Sequence, residues 1–208
     1  MNRLWLSAAI VACTASCGSL PPTHFYRLSV APASLARTPI AGVLSLQSVE
    51  ADTVYSDDRI VYRSSPYRLD YYNYHRWAAP PATLLADALR AGYDRSGLFR
   101  RVVTEFHASP DAVLSARLTA FDEVDRSATS WIAQLDVELW ITDPESSAVL
   151  WRQQFTETEP IQTRSPEGLA AALSRAMAKV VGASAPAIAS AMQRRVEQPA
   201  PANAPTAE

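Results

Sequence analysis

Residues 131–142 (WIAQLDVELWIT) restrict the fold more than any other part of the chain. Trp131, Ala133, Leu135, Val137, Leu139 and Ile141 occupy alternate positions, and Gln134, Asp136, Glu138, Trp140 and Thr142 lie between them. Successive side chains of a strand point to opposite faces, so this period of two predicts a strand with one face in a core. Residues 143–147 (DPESS) read as a turn. Residues 148–155 then alternate again, with Val149, Trp151 and Phe155 against Leu150, Arg152 and Gln154. The two runs predict a long antiparallel hairpin.

The same reading extends through the chain. Leu114, Ala116, Leu118 and Ala120 alternate with Arg117 and Thr119, which predicts a further strand. Residues 24–30 and 42–49 also alternate, the second with Leu44 and Leu46 facing inward, and residues 31–39 form a loop between them. Residues 60–63 and 67–70 predict two short strands around Ser64-Ser65-Pro66, and residues 99–103 another. Pro81 opens a predicted helix over 81–95, with Leu85, Ala88, Leu89 and Gly92 at helical spacing and Ser96-Gly97 as its stop. Ser165-Pro166-Glu167 opens a second as N-cap, first position and dipole-stabilising acid. Leu169, Leu173, Ala176, Met177, Val180 and Val181 form its buried stripe to about residue 195, with Pro186 expected to end or kink it. Residues 196–208 hold no apolar run and are expected to be disordered. The chain of 208 residues, 48% hydrophobic, suits a single α/β (α+β) domain over 24–195 with a mixed, mostly antiparallel sheet and two main helices.

Residues 57–81 (DDRIVYRSSPYRLDYYNYHRWAAPP) have a different composition. Tyr62, Tyr67, Tyr71, Tyr72, Tyr74 and Trp77 stand among Arg59, Arg63, Arg68 and Arg76. Tyrosine and tryptophan present an apolar body with one polar tip, and arginine stacks on such rings. Two accounts fit: a solvated strand that packs its rings on its own core, or a recognition edge, since these residues are enriched at interface hot spots. The candidate contact residues are Tyr62, Tyr71, Tyr74 and Arg76, with Trp77 expected to pack inward. Trp140, on the polar side of its strand, is a further candidate.

The N-terminus carries an address. Arg3 precedes a short apolar run over 4–12, too short for the roughly 20 residues of a membrane span. It fits a secretory signal over 1–16. Thr14-Ala15-Ser16-Cys17-Gly18 has the small residues before cysteine that resemble a lipobox, with Cys17 as the lipidated residue. Ile10-Val11-Ala12-Cys13 matches the pattern too, but leaves an unusually short signal. No cysteine follows Cys17, so the exported domain folds without disulfides. Residues 17–23 give the anchored cysteine and a proline-rich tether that holds the domain off the membrane. Gly18 rather than aspartate after the cysteine favours the outer membrane.

Several functions find no support in the residues. Net charge is −2, without the basic footprint of a nucleic-acid binder. His24, His75 and His107 are scattered, with no metal-ligand spacing, so no metal or cofactor is expected. Nucleophile elbows and phosphate loops are missing from a chain with six glycines, and no catalytic residue is expected. Asp122, Glu123 and Asp125, beside Arg126, form one acidic cluster and read as a solvated strand end.

Phe25-Tyr26-Arg27-Leu28 soon after the lipobox, Arg59-Ile60-Val61-Tyr62-Arg63, and Arg76-Trp77-Ala78-Ala79-Pro80 before a helix resemble the ABC-type transport auxiliary lipoproteins. In place of that family's step before the second motif stands Val54-Tyr55-Ser56. The resemblance implies a fold similar to the anticodon-binding-domain-like and TolB N-terminal layers. It also implies a non-enzymatic accessory component of an MCE-type ABC lipid-transport system, facing the periplasm. Its implied partners are the membrane, through the N-terminal lipid, and MCE-domain or ABC transporter components; a homo-oligomer stays open. The alternative is a periplasmic lipoprotein that holds a lipid or glycan in its own pocket.

Overall fold

The computed structural model describes residues 20–30, 39–104 and 109–197. Cys13, Cys17, His107 and the tail beyond Glu197 lie outside the described residues. The strands are β1 (His24–Tyr26), β2 (Ala41–Ala51), β3 (Arg59–Ser65), β4 (Arg68–Trp77), β5 (Phe99–Val103), β6 (Ala112–Ser127), β7 (Ser130–Thr142) and β8 (Val149–Pro160). The helices are α1 (Pro81–Ser96) and α2 (Pro166–Glu197), with a single 3-10 turn at Thr53–Tyr55.

All eight strands join one mixed sheet, organised on β6. One edge of β6 carries the antiparallel ladder to β7, which continues into β8. Its other edge is divided end to end between two parallel partners: β2 pairs with residues 112–118 and β3 with residues 122–124. β5 extends the β2 branch, and β4 and β1 extend the β3 branch. The two hairpin ladders and β3–β4 are antiparallel and the remaining pairings parallel.

Both helices pack on one face: α1 lies against β2 and β5, α2 against β7 and β8, and the helices touch each other. Ala133, Leu135, Val137, Leu139 and Ile141 of β7 are fully buried beneath α2, as the alternation predicts. Burial of each such aliphatic side chain contributes about 1.5–3 kcal/mol. α1 ends on Gly97, whose φ of 68° lies in the left-handed region that glycine adopts without strain. α2 does not end at Pro186 but runs through it for another three turns. Pro186 lies on the exposed face of α2. Ile188, Ala189, Ala191 and Met192 beyond it are buried, which offsets the lost backbone hydrogen bond.

The predicted strand over 24–30 shrinks to three residues. Residues 60–70 lengthen into a hairpin whose second strand continues to Trp77, with Ser65 opposite Arg68 across the turn.

Candidate functional site

The β3–β4 hairpin holds the aromatic and arginine stretch on two faces. Residues opposite one another in a ladder share a face, and Arg59, Val61 and Arg63 stand opposite Arg76, Tyr71 and Leu69. On this face Asp57 accepts from both the backbone N–H and the Nε of Arg59, at 2.9 and 2.7 Å. The Arg59 guanidinium in turn stacks on the Tyr71 ring at 3.8 Å, and Asp58 pairs with Arg76 at 3.3 Å. Tyr62 and Tyr72 take the other face, edge to face at 5.3 Å, and Tyr72 meets the His75 ring at a right angle. Tyr62, Tyr71 and Arg76 are half-buried, while Tyr74 is 37% exposed. Trp77 is 1% exposed against Phe121, inward as expected.

Two histidines read as scattered come together here. His24 of β1 lies directly opposite His75 of β4 with rings stacked at 5.5 Å, and Tyr26 Oη lies 2.8 Å from His75 Nδ1.

The acidic cluster is not a solvated strand end. Asp122 and Glu123 are both fully buried. β6 alternates cleanly up to Leu118, then slips register against β7 between Leu118 and Ala120, and Ala120, Phe121, Asp122 and Glu123 are buried in succession. This is where the neighbour of β6 changes from β2 to β3, whose hairpin brings Arg63 over one face of β6 and Tyr72 over the other. On one face Asp122 accepts from Tyr55 Oη at 3.0 Å and pairs with Arg63, whose Nε lies 2.5 Å away. Gln134 accepts from the same guanidinium at 3.0 Å. On the other face Glu123 accepts from Tyr72 Oη at 2.9 Å, with Arg164 Nε at 3.6 Å. Arg164 also donates to Asp125 at 2.7 Å and lies over the Trp131 ring.

Burial pushes both carboxyls up, opposed by Arg63 at Asp122 and chiefly by the Tyr72 hydroxyl at Glu123. The Tyr55 and Tyr72 hydroxyls are raised as well, by burial and then by the acid each one meets. The partners of the two acids are phenols and guanidinium groups. The arrangement is a clamp: Arg63 from β3 and Tyr72 from β4 are tied to adjacent residues of the central strand. Among the described residues no group of three or more His, Cys, Asp or Glu is placed to hold a metal.

Beside the clamp lies an open concavity of about 360 Å³ lined by Tyr62, Tyr71, Tyr72, Asn73, Arg164 and Pro166. Ser165 caps α2 there, accepting from the Gly168 N–H at 3.0 Å as its sequence position predicts. Trp140 lies elsewhere. It faces Ser115 across the ladder, eight residues before Glu123 on β6, which places it about 26 Å down the strand. It is half-buried under Arg152, whose guanidinium is 5.4 Å from the ring and 3.6 Å from Glu138. Sequence reasoning missed Arg164 and the burial of Asp122 and Glu123. The available signal was two adjacent acids following an aliphatic alternation without an intervening turn residue.

A family model described as the ABC-type transport auxiliary lipoprotein component matches residues 26–185. The chain belongs to that family. Its members are lipoproteins of the cell envelope that act as auxiliary components of transport, in association with transporter components. Of the solved structures it is similar to, protein XCC0632 from Xanthomonas campestris shares 19% identity over 85% of this chain and 99% of that one, at a TM-score of 0.72. An uncharacterized protein shares 15% identity over 81% of this chain and 99% of its own, at 0.67. At these identities the likeness shows the fold, a curled mixed α+β sheet with two helices. No curated protein matches.

Proposed function

We propose that this auxiliary lipoprotein is a non-catalytic component of an ABC/MCE-type intermembrane lipid-transport system. In this reading it is anchored through lipid on Cys17 to the outer membrane, faces the periplasm, and docks on the transport machinery through the β3–β4 surface. The observation that carries the reading is the clamp. Asp122 and Glu123 hold the hairpin rigidly from below, while Tyr62, Tyr71, Tyr74 and Arg76 keep area outside the core. Rigid, partly exposed aromatic and arginine side chains are what interface hot spots require. Trp140 belongs to a separate contact in this account.

The test is co-purification of the lipidated chain with candidate MCE-domain and permease components. A stable complex that forms with the unaltered chain but not with Arg76→Glu supports the surface. A complex indifferent to Arg76→Glu assigns docking elsewhere, and no complex at all removes the reading. The concavity beside Tyr72 favours a second reading, a lipoprotein that binds a lipid or glycan itself. Its volume is at the low end of small-ligand sites. Native mass spectrometry of the purified protein with a stoichiometric lipid or glycan would favour that reading.

A further inference from the structure

The strand directions fix which end of the domain faces the membrane. β1 runs parallel to β4, with His24 opposite His75 and Tyr26 opposite Trp77. β4 runs away from the β3–β4 turn, so β1 does too, and the chain enters β1 from the side of that turn. Seven residues separate Cys17 from His24, a reach of at most about 25 Å. Seven residues of β4 separate His75 from Arg68 at the turn, about 23 Å of strand. A lipid anchor on Cys17 therefore cannot lie far beyond the level of the turn while β1 stays paired. The tether is too short to hold this end clear of the surface.

The turn is built for such a contact. Residues 64–69 are all exposed, Tyr67 at 98% and Leu69 at 42%. Leu20 on the tether is 81% exposed, and the Arg68 side chain stands largely in solvent. The β6–β7 turn ends on the same side, since β6 runs parallel to β3, and it presents Arg126. Tyrosine and leucine with flanking arginines match the interfacial zone of a bilayer, where a ring sits at headgroup level and guanidinium groups reach phosphate.

We propose that the tip of the β3–β4 hairpin, Tyr67 and Leu69 with Arg68, is a second membrane contact that seats in the lipid headgroup region beside the acylated cysteine. The acyl chains on Cys17 hold the protein at the surface but leave its orientation free, and a second contact of this kind fixes it. The tip would stand the strand bodies of β3 and β4 upright from the surface, with Tyr71, Tyr74 and Arg76 turned toward a partner. This inference rests on the anchoring of Cys17 proposed above.

Spin labelling of the lipidated chain in vesicles of phosphatidylethanolamine with a minor fraction of phosphatidylglycerol tests it. The mature chain from Cys17 carries no other cysteine, so Tyr67→Cys or Leu69→Cys supplies one free thiol, with Val149→Cys at the opposite end as the reference. Flotation first reports the anchor: a chain that does not float with vesicles overturns both the anchor and the tip contact. In floating protein, the ratio of oxygen to nickel-complex accessibility should be several-fold higher at 67 and 69 than at 149. Equal, water-like ratios at all three positions overturn the tip contact while leaving the anchor intact. Labels at 67 and 69 shielded from both reagents point to a protein contact there and overturn it equally.

Discussion

Along β7 from Ala133 to Ile141 every second side chain is aliphatic and buried, with a period of two. Along β4 Leu69 is the one aliphatic residue among arginine, aspartate, tyrosine, asparagine and histidine, and only Trp77 is fully buried. Both strands belong to one sheet. The inner face of β7 is stabilised by apolar area, whereas on β4 and its partner β3 side chains are fixed to β6 by charged and phenolic groups, Arg63 on Asp122 and Tyr72 on Glu123. Apolar packing leaves nothing for a partner to read. A polar clamp under the hairpin holds it while its outer residues stay free of the core.

Loss of Asp122 should have the largest effect. Asp122→Ala leaves Arg63 without its partner and is expected to cost about 3–5 kcal/mol in urea unfolding. Amide exchange should quicken first in β3 and β4, with β7 still protected. Equal loss of protection in both strands would show that the hairpin has no separate fastening.

Gly92 sharpens the contrast from the apolar side. An added Cβ would lie 2.8 Å from a methyl of Val181, where α1 meets α2. Gly92→Ala is expected to cost about 1–3 kcal/mol by overpacking and to leave hairpin exchange relative to the core unchanged.

pH separates the two regions more gently. The folded chain holds a proton on Glu123 to higher pH than the unfolded chain does. The stability this contributes is present at acid pH and is lost as pH rises above 4.5 through the folded value. Asp143 acts in the opposite sense and in a lower window. Burial pushes it up, but Arg195 and the backbone N–H groups of Ser146 and Glu145 hold it down to about 2, so its contribution is lost as pH falls from 3.8 toward 2. Glu123→Gln should flatten the melting temperature above pH 4.5 and leave the acid limb unchanged. A slope unaffected by the substitution would place the titration at another group.

The same contrast explains what could be read from the sequence. β7, α1 and the start of α2 were legible because periodicity reports a face buried by apolar contact, while in β8 that face holds at Trp151 and Phe155 and fails at Val149, which is exposed beyond a bulge. The β3–β4 stretch was legible as unusual, and Trp77 as its inward member. The clamp was not legible, because Asp122 and Glu123 are buried by a change of strand partner on β6, which depends on residues some sixty positions earlier in the chain. His24 and His75 meet only through the parallel pairing of a three-residue strand. The persistence of α2 through Pro186 goes with the burial of Ile188, Ala189, Ala191 and Met192 beyond it, which helix-breaking rules leave out.

Tyr74 is where a role in docking and a role in stability diverge most. Its side chain lies outside the core, so Tyr74→Ala should change unfolding free energy by no more than about 0.5 kcal/mol. Truncation of a hot-spot ring costs about 2 kcal/mol of binding, roughly thirtyfold in affinity. The deciding measurement is therefore the affinity of the lipidated Tyr74→Ala chain for the MCE-domain component, taken beside its melting curve. A roughly thirtyfold loss with an unchanged melt is the result expected of a docking surface. An unchanged affinity, or a loss that only follows unfolding, would contradict it.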